Sequence, residues 1–220
     1  MTQTNRISAA DTGAARRVLN AGCGSRAARQ LHPAFRVAQW AEVRYDVDPA
    51  AEPDVVGSIT DLAAFDDSTF DAIWSSHVME HLFSHQVPLA LAEFRRVLKP
   101  DGFALITSPD LESVAALVAT HGLDRVVYVS AAGPITPLDM FFGHTASIAK
   151  GMEPMAHRTG FTCGSLGNLL VDAGFASALA KRERYDLWAL GLMAEADADR
   201  IASMLAAGGL DMFDGVEQAA

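Results

Sequence analysis

Short apolar runs alternate with helical patterns along the sequence, and this alternation constrains the fold more than any other feature. The runs that read as β-strands lie at residues 17–25, 41–49, 53–62, 70–76 and 103–109. Helical patterns follow the first, fourth and fifth runs; one of them places Leu91, Phe94 and Leu98 on a single helix face. Strands that alternate with helices form a parallel sheet covered on both faces, so the sequence predicts an α/β fold.

The alternation is interrupted after residue 121 by a segment rich in Gly and Pro. It resumes with a helical pattern at residues 165–174, an extended run from residue 175 to about 181 and a strand at residues 186–194. Two strands so close together predict a hairpin that closes the sheet, and an amphipathic helix is expected after Asp197. We therefore expect one domain spanning residues 1–220, with residues 121–161 as an insertion.

Composition excludes several classes of function. The chain has 220 residues, of which 50% are hydrophobic, and a formal net charge of -10. That charge disfavours nucleic acid as a partner. Two cysteines, no secretory leader pattern and no apolar run long enough to span a bilayer predict a cytoplasmic protein without a membrane segment. Whether it forms a homodimer is left open.

The turn "NAGCGS" follows the first predicted strand and indicates a ligand site. Gly22 and Gly24 allow a tight turn and a close approach of the backbone to a ligand. Asp46 ends the next strand, where an acid can accept hydrogen bonds from both hydroxyls of a ribose. The pattern predicts a nucleoside cofactor, and because Ala27 fits the last position of a dinucleotide fingerprint, NAD is not excluded by it.

Four motifs in the same order resemble those of the class I S-adenosylmethionine-dependent methyltransferases. They are "VLNAGCGS", "VRYDVDP", "FDDSTFDAIWSSHVMEHL" and "LAEFRRVLKPDGFALITSPD", and the resemblance covers residues 17–118. It implies a Rossmann-like methyltransferase fold with a seven-stranded sheet, mostly parallel with one antiparallel strand. It also implies S-adenosyl-L-methionine as the cofactor.

The resemblance assigns a set of residues to the cofactor site: Asn20, Gly22, Cys23, Gly24, Asp46, Val47, Ser58, Ile59, Ser75 and Ser76. The glycines would lie against the methionine and ribose parts, Asp46 would bind the ribose hydroxyls and Val47 would pack on the adenine. Three positions depart from the family pattern. Asn20 replaces a common acid, Arg26 stands where a third glycine is usual, and Ser58 replaces an acid near the adenine.

The stretch "HVMEH" matches the H-x-x-E-H signature of a zinc peptidase. The same stretch follows the fourth strand, where the resembled family has a Glu-His pair, and no third ligand stands at a recognisable spacing. We therefore expect no metal, although some quinone-pathway methyltransferases with a similar Glu-His use a divalent ion. His77 opens this stretch beside the expected methyl group and is a candidate catalytic residue.

The insertion is predicted to cover the acceptor as a lid, because it is rich in aromatic residues and methionine. Its candidate catalytic residues are His144 and His157, and its candidate substrate-binding residues are Asp139, Phe142 and Arg158. We expect methyl transfer to a nucleophilic N, O or S of a small molecule. The alternatives are a non-catalytic S-adenosylmethionine-binding subunit or sensor and an NAD-dependent oxidoreductase.

Overall fold

The computed structural model describes residues 15–28 and 30–212, which build one seven-stranded sheet and a separate two-stranded hairpin. The strands are β1 Arg16–Ala21, β2 Trp40–Asp46, β3 Val55–Val56, β4 Phe70–Ser76, β5 Leu98–Pro109, β6 Tyr128–Ser130, β7 Gly133–Ile135, β8 Ser177–Glu183 and β9 Asp186–Leu192. The helices are α1 Val87–Val97, α2 Leu111–His121, α3 Pro137–Phe142, α4 Thr145–Ile148, α5 Cys163–Asp172 and α6 Ala198–Ala207. Within the described ranges, none of these helices is long and apolar enough to cross a bilayer.

The order of the sheet is β3-β2-β1-β4-β5-β9-β8, and only β9 runs antiparallel to its neighbours. This confirms the predicted mostly parallel sheet and its closing hairpin. Strands β2 and β3 are added on one side of β1, whereas β4 and β5 are added on its other side. The loops that follow the parallel strands β1 and β4 therefore lead to opposite sides and leave a crevice at the carboxyl ends of these strands. In open α/β sheets, such a crevice is where ligands bind.

Side chains that alternate along the strands form a core on each face of the sheet. Leu19 faces the core that packs against α1 and α5, which includes the fully buried Phe94 and Leu166. Val18 faces the opposite core, to which α6 contributes Leu205. Helices therefore cover both faces, as the near-continuous apolar strands require.

Several local predictions were wrong in element type or length. The predicted helices after the glycine turn and over "HVMEHLF" are short 3-10 turns, at Arg26–Ala28 and Met79–His81. The second cannot continue back to β4 as a helix, because His77 has a φ of 54°. Strand β3 pairs with β2 only through Val55 and Val56.

The insertion has regular structure of its own. It contains the β6–β7 hairpin, α3, α4 and a 3-10 turn at Glu153–Met155. Its return segment is hydrogen-bonded to the main fold, since the amide of Arg158 donates to the carbonyl of Glu80 at 2.8 Å and the amide of Leu111 donates to the carbonyl of Phe161 at 3.0 Å. The insertion is thus fastened beside the loop that follows β4.

Asp110 caps α2, and its replacement should measurably lower stability. Its carboxylate is buried, accepts from the amides of Glu112 (3.2 Å) and Ser113 (3.1 Å), and pairs with Arg182 at 3.0 Å. Asp110→Ala should lower the free energy of unfolding by about 2 kcal/mol in urea denaturation. Asp124→Ala, an exposed aspartate beyond the same helix, is the control and should change it by less than about 0.5 kcal/mol.

Candidate functional site

A single cavity of about 1020 Å³ opens at the carboxyl ends of β1, β2 and β4 and extends under the insertion. It is lined on one side by the loops after these strands, including Gly22, Asp46 and His77. The insertion and the β8–β9 turn also line it, including Met140 and Asp186. The cavity therefore joins the predicted cofactor loops to the predicted acceptor segment.

The glycine turn and Asp46 form one hydrogen-bonded unit. Asp46 accepts from the amide of Gly24 through Oδ2 at 2.8 Å and from the amide of Asp48 through Oδ1 at 2.9 Å. Gly22 has a φ of 77°, and a Cβ placed on it would lie 2.2 Å from Cγ2 of Val78. A side chain at this position would be strained and would collide with the loop after β4, so the turn needs glycine here.

Seven of the ten residues assigned to the cofactor line the cavity: Gly22, Gly24, Asp46, Val47, Ser58, Ile59 and Ser76. The side chain of Val47 is 63% exposed, which leaves apolar surface available to a flat ring. The hydroxyl of Ser58 is paired with that of Thr60 at 2.8 Å. The Ser58 hydroxyl, which stands where the resembled family usually has an acid, is therefore already hydrogen-bonded within the protein.

The other three assigned residues lie behind the cavity wall. Asn20 is buried and donates from Nδ2 to Glu42 at 2.7 Å. Cys23 is fully buried, and burial raises the pKa of its thiol to about 11. Ser75 is fully buried within β4. These three residues support the loops from the sheet side and do not line the cavity.

His77 lines the cavity and lies between two carboxylates. Its Nδ1 is 3.3 Å from Oε1 of Glu80, and its Nε2 is 3.6 Å from Oδ1 of Asp186. Burial alone would lower the pKa of His77, but the two carboxylates raise it to about 9. In this arrangement His77 carries a proton at neutral pH and presents a positive charge and a hydrogen-bond donor, which differs from the free base that a catalytic histidine in a methyltransferase could supply.

Glu80 is almost completely buried. Burial would raise the pKa of its carboxyl, but the neighbouring His77, with a contribution from the charge of His81, holds it below its usual value. The hydroxyl of Ser108 donates to Oε2 at 3.2 Å. A buried, ionised glutamate is thus part of the cavity wall.

The insertion brings four of its five predicted site residues to the cavity. Asp139, His144, His157 and Arg158 line it, whereas Phe142 lies outside it with its side chain 61% exposed. The carboxylate of Asp139 accepts hydrogen bonds from Thr136 and Thr145, which lower its pKa to about 2 against the effect of burial. Asp139 therefore caps α3 and holds the start of α4.

The two histidines and the arginine are each held by a defined contact. Nδ1 of His144 pairs with the hydroxyl of Ser147 at 2.7 Å, and Nδ1 of His157 lies 2.9 Å from the carbonyl of Met140. Burial lowers the pKa of His157. The guanidinium of Arg158 stacks over the ring of Phe83, 4.8 Å from its centroid.

Sequence reasoning did not assign several cavity residues to the site. They are Gln30, Glu80, His81, Tyr128, Met140, Tyr185 and Asp186. Asp186 and Tyr185 stand at the β8–β9 turn, which reaches the cavity only because β9 pairs with β5. No local pattern signals this contact. The Glu-His pair of "HVMEH" could have indicated Glu80 and His81, which line the cavity in the loop after β4.

Comparison with known proteins agrees with this site. Residues 19–106, which contain the glycine turn, Asp46 and β4, match the model of a family described as a methyltransferase domain. No curated protein matches the sequence significantly.

Solved methyltransferases share the architecture at low identity. A SAM-dependent methyltransferase from Archaeoglobus fulgidus is 16% identical, with a TM-score of 0.55 over 81% of this chain and 86% of that one. The 1,6-didemethyltoxoflavin-N1-methyltransferase of Burkholderia thailandensis is 18% identical, with a TM-score of 0.52 over 84% of this chain and 73% of that one. An O-methyltransferase family protein from Burkholderia thailandensis is 14% identical, with a TM-score of 0.54 over 83% of this chain and 52% of that one.

The sheet order, the glycine turn and the acid hydrogen-bonded to that turn are those of a Rossmann-like methyltransferase fold. Over residues 19–106 the chain matches a methyltransferase domain family, and its fold is that of the solved S-adenosylmethionine-dependent methyltransferases.

Proposed function

We propose that the protein transfers the methyl group of S-adenosylmethionine to a nucleophilic N, O or S of a small molecule held beneath the insertion. One observation carries this proposal: the cofactor residues and the insertion residues line the same cavity. A volume of about 1020 Å³ leaves room for a small acceptor beside the cofactor. The mouth is bounded by the insertion, which favours a compact acceptor over a polymer.

The chemistry asks little of the protein beyond positioning. The sulfonium is an activated leaving group, so the acceptor atom must be held in line with the methyl and kept from water. In this proposal the loop after β4 presents His77 to the acceptor, where its charged ring can hold an acceptor oxygen or an anionic group by a hydrogen bond. Met140 and Tyr128, which also line the cavity, would exclude water around it.

The insertion acts as a lid in this proposal. Among the described residues, the backbone hydrogen bonds that join its return segment to the main fold run to the loop after β4 and to the start of α2, and none runs to the loops that carry Gly22 and Asp46. Cofactor binding and acceptor binding should therefore respond to different substitutions. Among the similar structures, the Burkholderia thailandensis N1-methyltransferase holds a small acceptor together with S-adenosylhomocysteine, which is consistent with such a division.

Arg158→Ala should weaken acceptor use and spare cofactor binding. The substitution removes the guanidinium at the cavity mouth and its stacking on Phe83. We expect kcat/KM for the acceptor to fall by about tenfold while the Kd of S-adenosylhomocysteine stays within about threefold. Arg125→Ala, an exposed arginine of the same insertion outside the cavity, is the control and should leave both quantities unchanged. Equal loss of cofactor affinity in the Arg158 variant would contradict the separation.

The function itself is tested by methyl transfer. The protein is incubated with methyl-labelled S-adenosylmethionine and fractionated small metabolites. We expect label in a low-molecular-weight product, with S-adenosylhomocysteine formed in equal amount. Label that enters only macromolecules would refute the small-molecule assignment.

A further inference from the structure

Three potential metal ligands meet on the wall of the cavity. Glu80, His81 and His157 each offer a ligand atom, and these atoms lie within 4.8 Å of one another. The first two belong to the loop after β4 and the third to the end of the insertion. All three line the cavity. The cluster therefore joins the main fold to the insertion beside the proposed acceptor position.

Both histidines are oriented as metal-binding histidines usually are. Nδ1 of His81 lies 3.2 Å from the carbonyl of Ala156, and Nδ1 of His157 lies 2.9 Å from the carbonyl of Met140. A carbonyl oxygen can only accept, so Nδ1 carries the hydrogen in each neutral ring. That leaves the lone pair on Nε2, the arrangement in which backbone carbonyls fix the tautomer of a metal ligand.

Glu80 supplies a buried carboxylate whose hydrogen bonding is incomplete. It is 1% exposed, and only Oε2 accepts a hydrogen bond, from Ser108. Oε1 is buried without a hydrogen bond among the described residues, although Nδ1 of His77 lies 3.3 Å away. Buried charges in proteins are usually paired or coordinate metals.

We propose that Glu80, His81 and His157 bind a divalent first-row transition ion at the acceptor end of the cavity. Two imidazoles and one carboxylate favour Zn²⁺, Fe²⁺ or Co²⁺ over Mg²⁺ and Ca²⁺, which prefer oxygen ligands. Three protein ligands leave coordination positions open toward the cavity, where an acceptor with a coordinating oxygen or nitrogen can bind. This role in acceptor selection rests on the proposed function, whereas binding of the ion does not.

The proposal revises the expectation of no metal drawn from "HVMEH". In the H-x-x-E-H signature the two histidines of the motif would both bind. Here His77, at a φ of 54°, pairs with Glu80 and Asp186, and the second histidine of the cluster is His157 from the insertion. The spacing of residues in the sequence does not indicate that His157 joins this cluster.

The test measures metal binding directly on the full-length protein, with any affinity tag removed. Chelator-treated protein is titrated with Co²⁺ while the visible d–d absorption is recorded, and with Zn²⁺ by calorimetry. We expect one ion per chain and a Kd that His157→Ala weakens by about tenfold or more. His81→Ala, from the other segment, should weaken it similarly. His144→Ala is the matched control, because this cavity histidine lies outside the cluster, and it should leave the Kd unchanged.

Two results would overturn the site. One is a wild-type protein that binds neither ion although thermal unfolding shows it to be folded. The other is binding that survives in both the His157 and His81 variants, which would place the ion elsewhere. S-adenosylhomocysteine calorimetry on the same samples separates failure of the metal site from failure of the methyltransferase assignment.

Discussion

Asp46→Ala should weaken S-adenosylhomocysteine binding by about a hundredfold, equivalent to about 2.8 kcal/mol. The carboxylate is the expected acceptor for two ribose hydroxyls, and hydrogen bonds to a charged group contribute about 1.5 to 3 kcal/mol each. It also holds the glycine turn through the amide of Gly24 at 2.8 Å, so the variant loses part of the preformed loop. Isothermal titration calorimetry measures the change.

Asp48→Ala is the matched control for this variant. Asp48 lines the same cavity two residues away and carries the same charge, but its Oδ1 accepts from the amide of Ala50 and caps a 3-10 turn. We expect its effect on the Kd to stay below about fivefold, since the variant loses the cap of this turn and a long-range charge but no expected hydrogen bond to the cofactor. Equal effects of the two variants would mean that Asp46 acts by general electrostatics and would contradict its role as the ribose acceptor.

Gly143→Ala should abolish most acceptor turnover while leaving cofactor binding intact. Gly143 follows α3 with a φ of 92°, and a Cβ there would lie 2.1 Å from the carbonyl oxygen of Met155 and 2.9 Å from Cα of Ala156. These are backbone atoms of the segment that leads to His157, so the insertion must shift. A displacement of about 1 Å at a positioning residue can reduce turnover by about a hundredfold.

Gly122→Ala is the control that distinguishes the steric collision expected in Gly143→Ala from backbone strain alone. Gly122 also has a positive φ, 79°, but a Cβ there meets nothing within 4 Å. It should lower stability by about 1 to 2 kcal/mol, the strain of a left-handed residue, without a comparable loss of turnover. If the Gly143 variant lost cofactor affinity as strongly as turnover, the insertion would be part of the cofactor site and the proposed division would be wrong.

Sequence patterns predicted the parts of the fold that depend on local periodicity. The strand at residues 70–76 was predicted at the position where the structure has it. The strand predicted at residues 53–62 has only two paired residues in the structure. The chain turns after Gly57, and the hydroxyl of Tyr45 holds this turn through the carbonyls of Ser58 and Asp61. A tertiary contact of this kind leaves no local pattern.

The same distinction applies to the site. The cofactor half could be predicted because it follows two strands directly and consists of glycines and an acid at a known spacing. The acceptor half could be predicted only in part: the insertion was expected to supply His157, but its meeting with Glu80 and Asp186 depends on sheet pairing and on the path of the insertion. Asn20 and Ser75 were assigned to the cavity by motif position, although alternation along the strands turns their side chains into the fold.

The crevice between the loops after β1 and β4 is proposed to bind S-adenosylmethionine, and direct titration measures this binding most simply. Folded wild-type protein is titrated with S-adenosylhomocysteine and, separately, with NAD. We expect one S-adenosylhomocysteine per chain at about micromolar Kd, and, at a hundredfold excess over that Kd, a stabilisation of about 2.7 kcal/mol. NAD should give neither heat nor stabilisation. No binding of S-adenosylhomocysteine, or tighter binding of NAD, would contradict the account.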